Sequence, residues 1–153
     1  MAKIVVGVDG SKESADAVRW ALGEASRTGD PVHLVAAYEY PSAWLGMGEA
    51  LGSAVAPTIG DDDLKQYALS GITDALDGIE IPDGVSLTSE AIAGHPSDVL
   101  VALSHDASLV VVGSRGHGDI GSALIGSVGM HVIHHSECPV VVLPHPRRSR
   151  RSK

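Results

Sequence analysis

Five parallel strands in the order 3-2-1-4-5, with helices on both faces, make up the α/β doubly wound fold class that this sequence predicts. Three observations lead there. Runs rich in Val, Ile and Leu alternate along the chain with segments of helical apolar spacing, as βαβ units require. Two of the runs, SLVVVG and VVVL, are apolar at successive positions, the pattern of strands covered on both faces. The chain has 153 residues with no internal repeat or linker, which suits a single domain.

The first strand is read at Lys3 to Asp9, KIVVGVD, with Gly10 making the turn. Ser11 is a good N-cap, because its hydroxyl can accept one of the amides left over by the first helical turn. The helix behind it should reach Thr28 and stop at Gly29, with Ala15, Val18, Leu22 and Ala25 on its buried face. The second strand is Val32 to Tyr38. From 39 to 60 the periodicity dissolves into a Gly-rich segment that also carries Trp44, Leu45, Met47, Leu51 and Val55. Two readings are open for it: a poorly ordered excursion, or a flap or apolar contact with a ligand or second subunit.

A second helix starts near Asp61, where three aspartates meet the positive end of the helix dipole, and runs to Asp77 with Gly78 as its stop. A third strand falls within GVSLTSEAIAG, and a short helix follows Gly94, capped around Ser97. The fourth strand is Ser108 to Gly113. A helix from about Ser127 to His135 and a last strand, Val140 to Leu143, complete the alternation. Residues 1–146 form the domain, and 147–153 form a tail.

Composition excludes several function classes. With two Trp, three Tyr and no Phe, the core must be aliphatic. No apolar run reaches the ~18–20 residues that span a bilayer, and the N-terminal run breaks at Asp9, too early for a signal peptide. One cysteine, Cys138, forms no internal disulfide, which fits a reducing compartment. A cytoplasmic protein with no membrane partner is expected. The net charge of −8 is unevenly spread. The tail, RRSRRSK, holds five of the eleven basic residues, so the body carries six basic and nineteen acidic groups. An acidic body argues against nucleic acid as a partner; the tail reads as a solvated end.

The chemistry concentrates in GSRGHGDIGSALIGSVG, Gly113 to Gly129. Gly116-His-Gly118-Asp-Ile-Gly121 matches GxGxxG, but it follows the fourth strand and lacks an acid ending the next one, so a dinucleotide site is rejected. Gly121 to Ser127 has P-loop spacing without the lysine that reaches the terminal phosphates. A phosphoacceptor role for Asp9 fails for want of neighbouring acids and of a lysine after the last strand. The wider frame, Gly113-x2-Gly116-x9-Gly126-Ser127, survives. Its glycines let the backbone come close to a ligand, and Gly126-Ser127 opens a helix whose amides and dipole favour a phosphate. Arg115 and His117 are further donors.

That G-x2-G-x9-G-S motif is the nucleotide motif of the universal stress protein family, which the chain resembles over essentially its whole length. Val5-Val-Gly-Val-Asp-Gly-Ser11, the Gly94-His95-Pro96 turn, Asp106 to Gly116 and Cys138-Pro-Val-Val-Val142 all resemble it. The resemblance implies an adenine nucleotide alpha-hydrolase-like fold, the ATP-binding branch, ATP with Mg²⁺ as cofactor, and a homodimer paired along Val140–Leu143. It also implies site residues. Asp9 would meet the ribose or a metal, with Gly7 and Val8 lining that side; Asp9 as a plain turn residue is the other reading. Ala36 or Ala37 would meet adenine through backbone groups. Val112, Gly113, Arg115 and Gly116 would run beneath ribose and phosphates, and Gly126, Ser127 and Val128 would cradle the phosphates.

His131, His134, His135 and Cys138 could suggest a metal, but polar residues on an exposed helix end explain them as well, with Cys138 as a small hydrophobe. No nucleophile–base pair stands out. The expected function is therefore an ATP-binding regulatory module in a stress response. The alternatives are a slow Mg-dependent ATPase, and a dimeric interaction protein that binds no nucleotide.

Overall fold

The computed structural model describes residues 2–40, 60–115 and 125–144. Their elements are β1 (Lys3–Gly7), α1 (Lys12–Thr28), β2 (Val32–Tyr38), α2 (Asp61–Leu76), β3 (Leu87–Ala93), α3 (Pro96–Ser104), β4 (Ala107–Gly113), α4 (Ser127–His135) and β5 (Val140–Leu143). The sheet order is β3-β2-β1-β4-β5, parallel throughout. The chain therefore builds outward from β1 in one direction, then crosses back to β4 and builds in the other.

Strand alternation divides the core in two. Ile4, Val6, Leu34, Ala36 and Val111 face α1 and α2, meeting Val18, Ala21, Leu22 and Ile72. Val5, Val35, Val110 and Val112 face the other way, onto Val99 and Leu100 of α3 and Val132 of α4. Ile4, Val5 and Val6 are each at most 1% exposed, a burial that contributes roughly 1.5–3 kcal/mol per side chain. The central strand is thus held from both faces, which fixes where its carboxyl end lies.

The boundaries differ from the sequence expectation in instructive ways. β1 ends at Gly7 rather than Asp9. Val8 still donates its N–H to the Val35 carbonyl at 2.8 Å, but Asp9 turns away and its carboxylate accepts the Ser11 N–H at 2.9 Å. Gly10 follows at φ +80, a conformation that a side chain would oppose. The α3 cap is His95, not Ser97: its ring accepts the Ser97 N–H, and Pro96 supplies the first turn. α2 stops at Leu76, with Asp77 as its C-cap and Gly78 just beyond. VVVL, expected to be buried on both faces, is half-buried at all four positions, because β5 is an edge strand paired only with β4.

One buried titratable group gives the fold a pH dependence. His33 is 8% exposed, its Nδ1 2.8 Å from Thr88 Oγ1 and its Nε2 3.3 Å from the Glu90 carboxylate. Burial, with Lys3 adding to it, holds the imidazole below its ordinary 6.5, against the pull of Glu90. The unfolded chain therefore takes up this proton first on acidification. The stability that His33 contributes is full above pH 6.5 and is lost as pH falls through the lowered native value. His105 works in the opposite sense. The Glu137 hydrogen bond raises its pKa, so its contribution is full below 6.5 and fades as pH rises. Comparing urea unfolding of His33→Gln with the parent isolates the first effect. The parent should lose stability faster than the variant below pH 6.5; parallel profiles would show that His33 carries no linkage.

Candidate functional site

The carboxyl ends of β1 and β4, where strand order reverses, open into a cavity of about 220 Å³ on the α3/α4 side of the sheet. Gly7, Val8 and Asp9 form one wall, extended by Ala37 of β2. Val112, Gly113 and Arg115 form the opposite wall, and Gly126, Ser127 and Val128 close it at the start of α4. The sequence-expected residues thus converge, with two exceptions. Ala36 lines a different cavity, of about 510 Å³, on the α2 side, because successive strand residues face opposite ways. Gly116 lies outside the described residues, as does His117.

Sequence reasoning missed Ser14, Val35, Pro96, Leu100, Ser114 and Gly129, which also line the cavity. Val35 was legible, since it shares a strand face with Ala37. Pro96 and Leu100 were not, because only the packing of α3 brings them beneath β1. That packing is tight: a Cβ on Gly7 would stand 2.9 Å from Leu100 Cδ1.

The two ends of the cavity differ electrically. α4 begins at Gly126, whose carbonyl accepts the Met130 N–H at 3.0 Å. The amides of Ser127, Val128 and Gly129 precede that first helical bond and carry the positive end of the dipole. The Gly126 amide is not one of them, since it donates to the Ser114 carbonyl. Gly113 also has a second explanation. A Cβ there would lie 2.8 Å from Glu13 Cβ and 3.0 Å from the Glu13 carbonyl carbon, so the packing of α1 demands glycine independently of any ligand. At the β1 end Asp9 serves the turn through Ser11 and lines the cavity as well.

The larger cavity on the α2 side also touches Asp9, but its other ionisable lining residues are Glu39, Asp74 and two tyrosines, with no basic side chain. An anion is suited by the smaller cavity, with Arg115 and a helix start, and not by the larger. Elsewhere, His131 and His135 stack at 4.3 Å, and His135 Nδ1 donates to the His131 carbonyl. His131 Nε2 lies 3.6 Å from Asp98. Among the described residues no group of three or more His, Cys, Asp or Glu side chains is placed to hold a metal ion, and no helix is long and apolar enough to cross a membrane.

Comparison with known proteins gives the family. The family model described as the universal stress protein family matches residues 1–144. The chain belongs to that family. A Mycobacterium tuberculosis universal stress protein is 34% identical over 145 residues, a match covering 92% of this chain and 44% of the relative. This universal stress protein chain therefore spans about half the length of the curated relatives it matches. Among solved structures, the universal stress protein UspA from Lactobacillus plantarum superposes with a TM-score of 0.71 at 19% identity, covering 93% of this chain and 97% of its own. A universal stress protein in complex with cAMP superposes at 0.56 with 26% identity, covering 93% and 95%.

Proposed function

We propose that this chain binds an adenine nucleotide, ATP with Mg²⁺, as a sensing module in a stress response. The observation that carries the reading is the cavity itself: a helix start, with three amides unpaired among the described residues, and an arginine at one end, an aspartate and a strand backbone at the other. A solved relative in complex with cAMP supports the nucleotide class. In this reading Ser127, Val128 and Arg115 hold phosphates, with Gly113, Gly116 and Gly126 keeping the backbone clear. Asp9 meets the ribose or the metal, beside Gly7 and Val8, and the Ala37 backbone meets the base. Val112 lies beneath the nucleoside.

The half-exposed edge of β5 is the proposed pairing surface of a homodimer. Native mass spectrometry of the freshly purified chain tests both claims at once. The expected spectrum is a doubled mass carrying an adenine nucleotide. If the chain binds none of ATP, ADP or cAMP, with or without Mg²⁺, the nucleotide reading is wrong; a monomeric mass disposes of the pairing. A slow ATPase remains the second reading, because the Asp9 carboxylate stands at the cavity wall. Phosphate release that disappears in Asp9→Ala while ATP binding persists would favour it.

A further inference from the structure

We propose that the Ser114 hydroxyl is itself a ligand contact, an O–H donor held in reserve for an anionic oxygen of the phosphate class. The inference rests on the nucleotide reading and adds to it a side chain that the glycine motif does not contain. Ser114 follows β4 directly. Val110 and Val112 pack into the α3/α4 layer, while a Cβ on Gly113 would meet Glu13 of α1. Alternation therefore returns Ser114 to the cavity face, where it lines the wall beside α4 at 2% exposure.

Its backbone is fully engaged. The N–H donates to the Leu143 carbonyl at 2.8 Å, and the carbonyl accepts the Gly126 N–H. Its Oγ has no hydrogen-bond partner among the described residues. The other buried serines differ in this respect. Ser11 Oγ accepts the Ser14 N–H, Ser14 Oγ donates to the Ser11 carbonyl, Ser97 Oγ pairs with His95, and Ser104 Oγ donates to the Val101 carbonyl. A buried hydroxyl left unpaired loses its water without compensation, so such groups call for an explanation.

The next residue sharpens the case. Arg115 Nε is also buried with no partner among the described residues, and Arg115 lines the same cavity. Two consecutive side chains thus present unspent donors beside the amide end of a helix. An anion bearing several acceptor oxygens satisfies all of them together, and a neutral nucleoside does not.

Calorimetric titration of Ser114→Ala against the parent, with ATP, AMP and adenosine, tests this. The expected result is about tenfold weaker binding of ATP and AMP with adenosine unchanged, the size of one hydrogen bond to a charged group. The ligand-free variant should melt at the parent temperature or above it, because removing an unpaired buried hydroxyl removes a cost. A lowered melting temperature with equal losses for all three ligands would mean that Ser114 is structural, and would overturn the inference. Arg115→Met provides a second variant with the same expected selectivity. If the parent binds ATP and Ser114→Ala does not weaken it, this inference fails whatever Arg115→Met does, and the nucleotide reading stands. If the parent binds none of the three, both fail.

Discussion

Valine at position 126 should weaken ATP binding by roughly a hundredfold, about 2.7 kcal/mol, while leaving the fold standing. Gly126 has φ −71 and ψ 171, extended backbone that any residue adopts, so the fold does not require glycine for its conformation. As an N-cap it makes no side-chain bond, and exchanging glycine there for an apolar residue costs the helix about 1 kcal/mol or less. The damage falls on the ligand. A branched side chain would stand beside the amides of Ser127 and Val128, where a phosphate would have to approach. The measurements are thermal melting together with calorimetric titration. An unchanged ATP affinity in a folded Gly126→Val protein would show that the phosphates do not lie at the start of α4.

Valine at position 113 should do the reverse, acting on stability first. Its Cβ alone would approach Glu13 Cβ to 2.8 Å and the Glu13 carbonyl carbon to 3.0 Å, and backbone cannot swing aside as a side-chain tip can. Either α1 or the end of β4 must move. Overpacking of this kind costs about 2–3 kcal/mol, which for a domain of this size lowers Tm by roughly 4–12 °C. Affinity should fall as well, because the displaced elements carry Ser14 and Arg115 at the cavity. A Gly113→Val protein melting with the parent would show that α1 yields without cost. The paired variants separate the packing that Gly113 answers from the ligand access expected at Gly126.

The fold was legible because the information that sets it is local. LVVVG and VVVL declare themselves as strands by unbroken apolar content, and Ser11 and Gly29 mark the helix they bracket. What misled was a quantity that depends on neighbours. VVVL reads as fully buried by composition, yet burial is decided by whether a strand has partners on both sides, and β5 has one. The candidate site shows the same division. Gly113, Gly126 and Ser127 were visible through spacing, and Asp9 through its place after the first strand. Pro96 and Leu100 carry no spacing signal toward the cavity; they arrive through the docking of α3 against Gly7. Ser114 lies between Gly113 and Gly116 with no spacing signal of its own, because its buried hydroxyl, unpaired among the described residues, is a fact of three dimensions.

The pairing of β1 with β4 has a consequence for the order in which the molecule can assemble. β1 with β2 is a nearest-neighbour pairing in sequence, but Lys3 meets Ala107 across a chain separation of about a hundred residues, and contacts of that kind form slowly because closure entropy is lost before they are gained. A nascent chain that has made β1, α1 and β2 possesses Gly7, Val8, Asp9 and Ala37 and no opposite wall. The crevice comes into being with the longest-range pairing in the sheet, so a ligand bound across it would bridge two segments of the chain synthesised about a hundred residues apart.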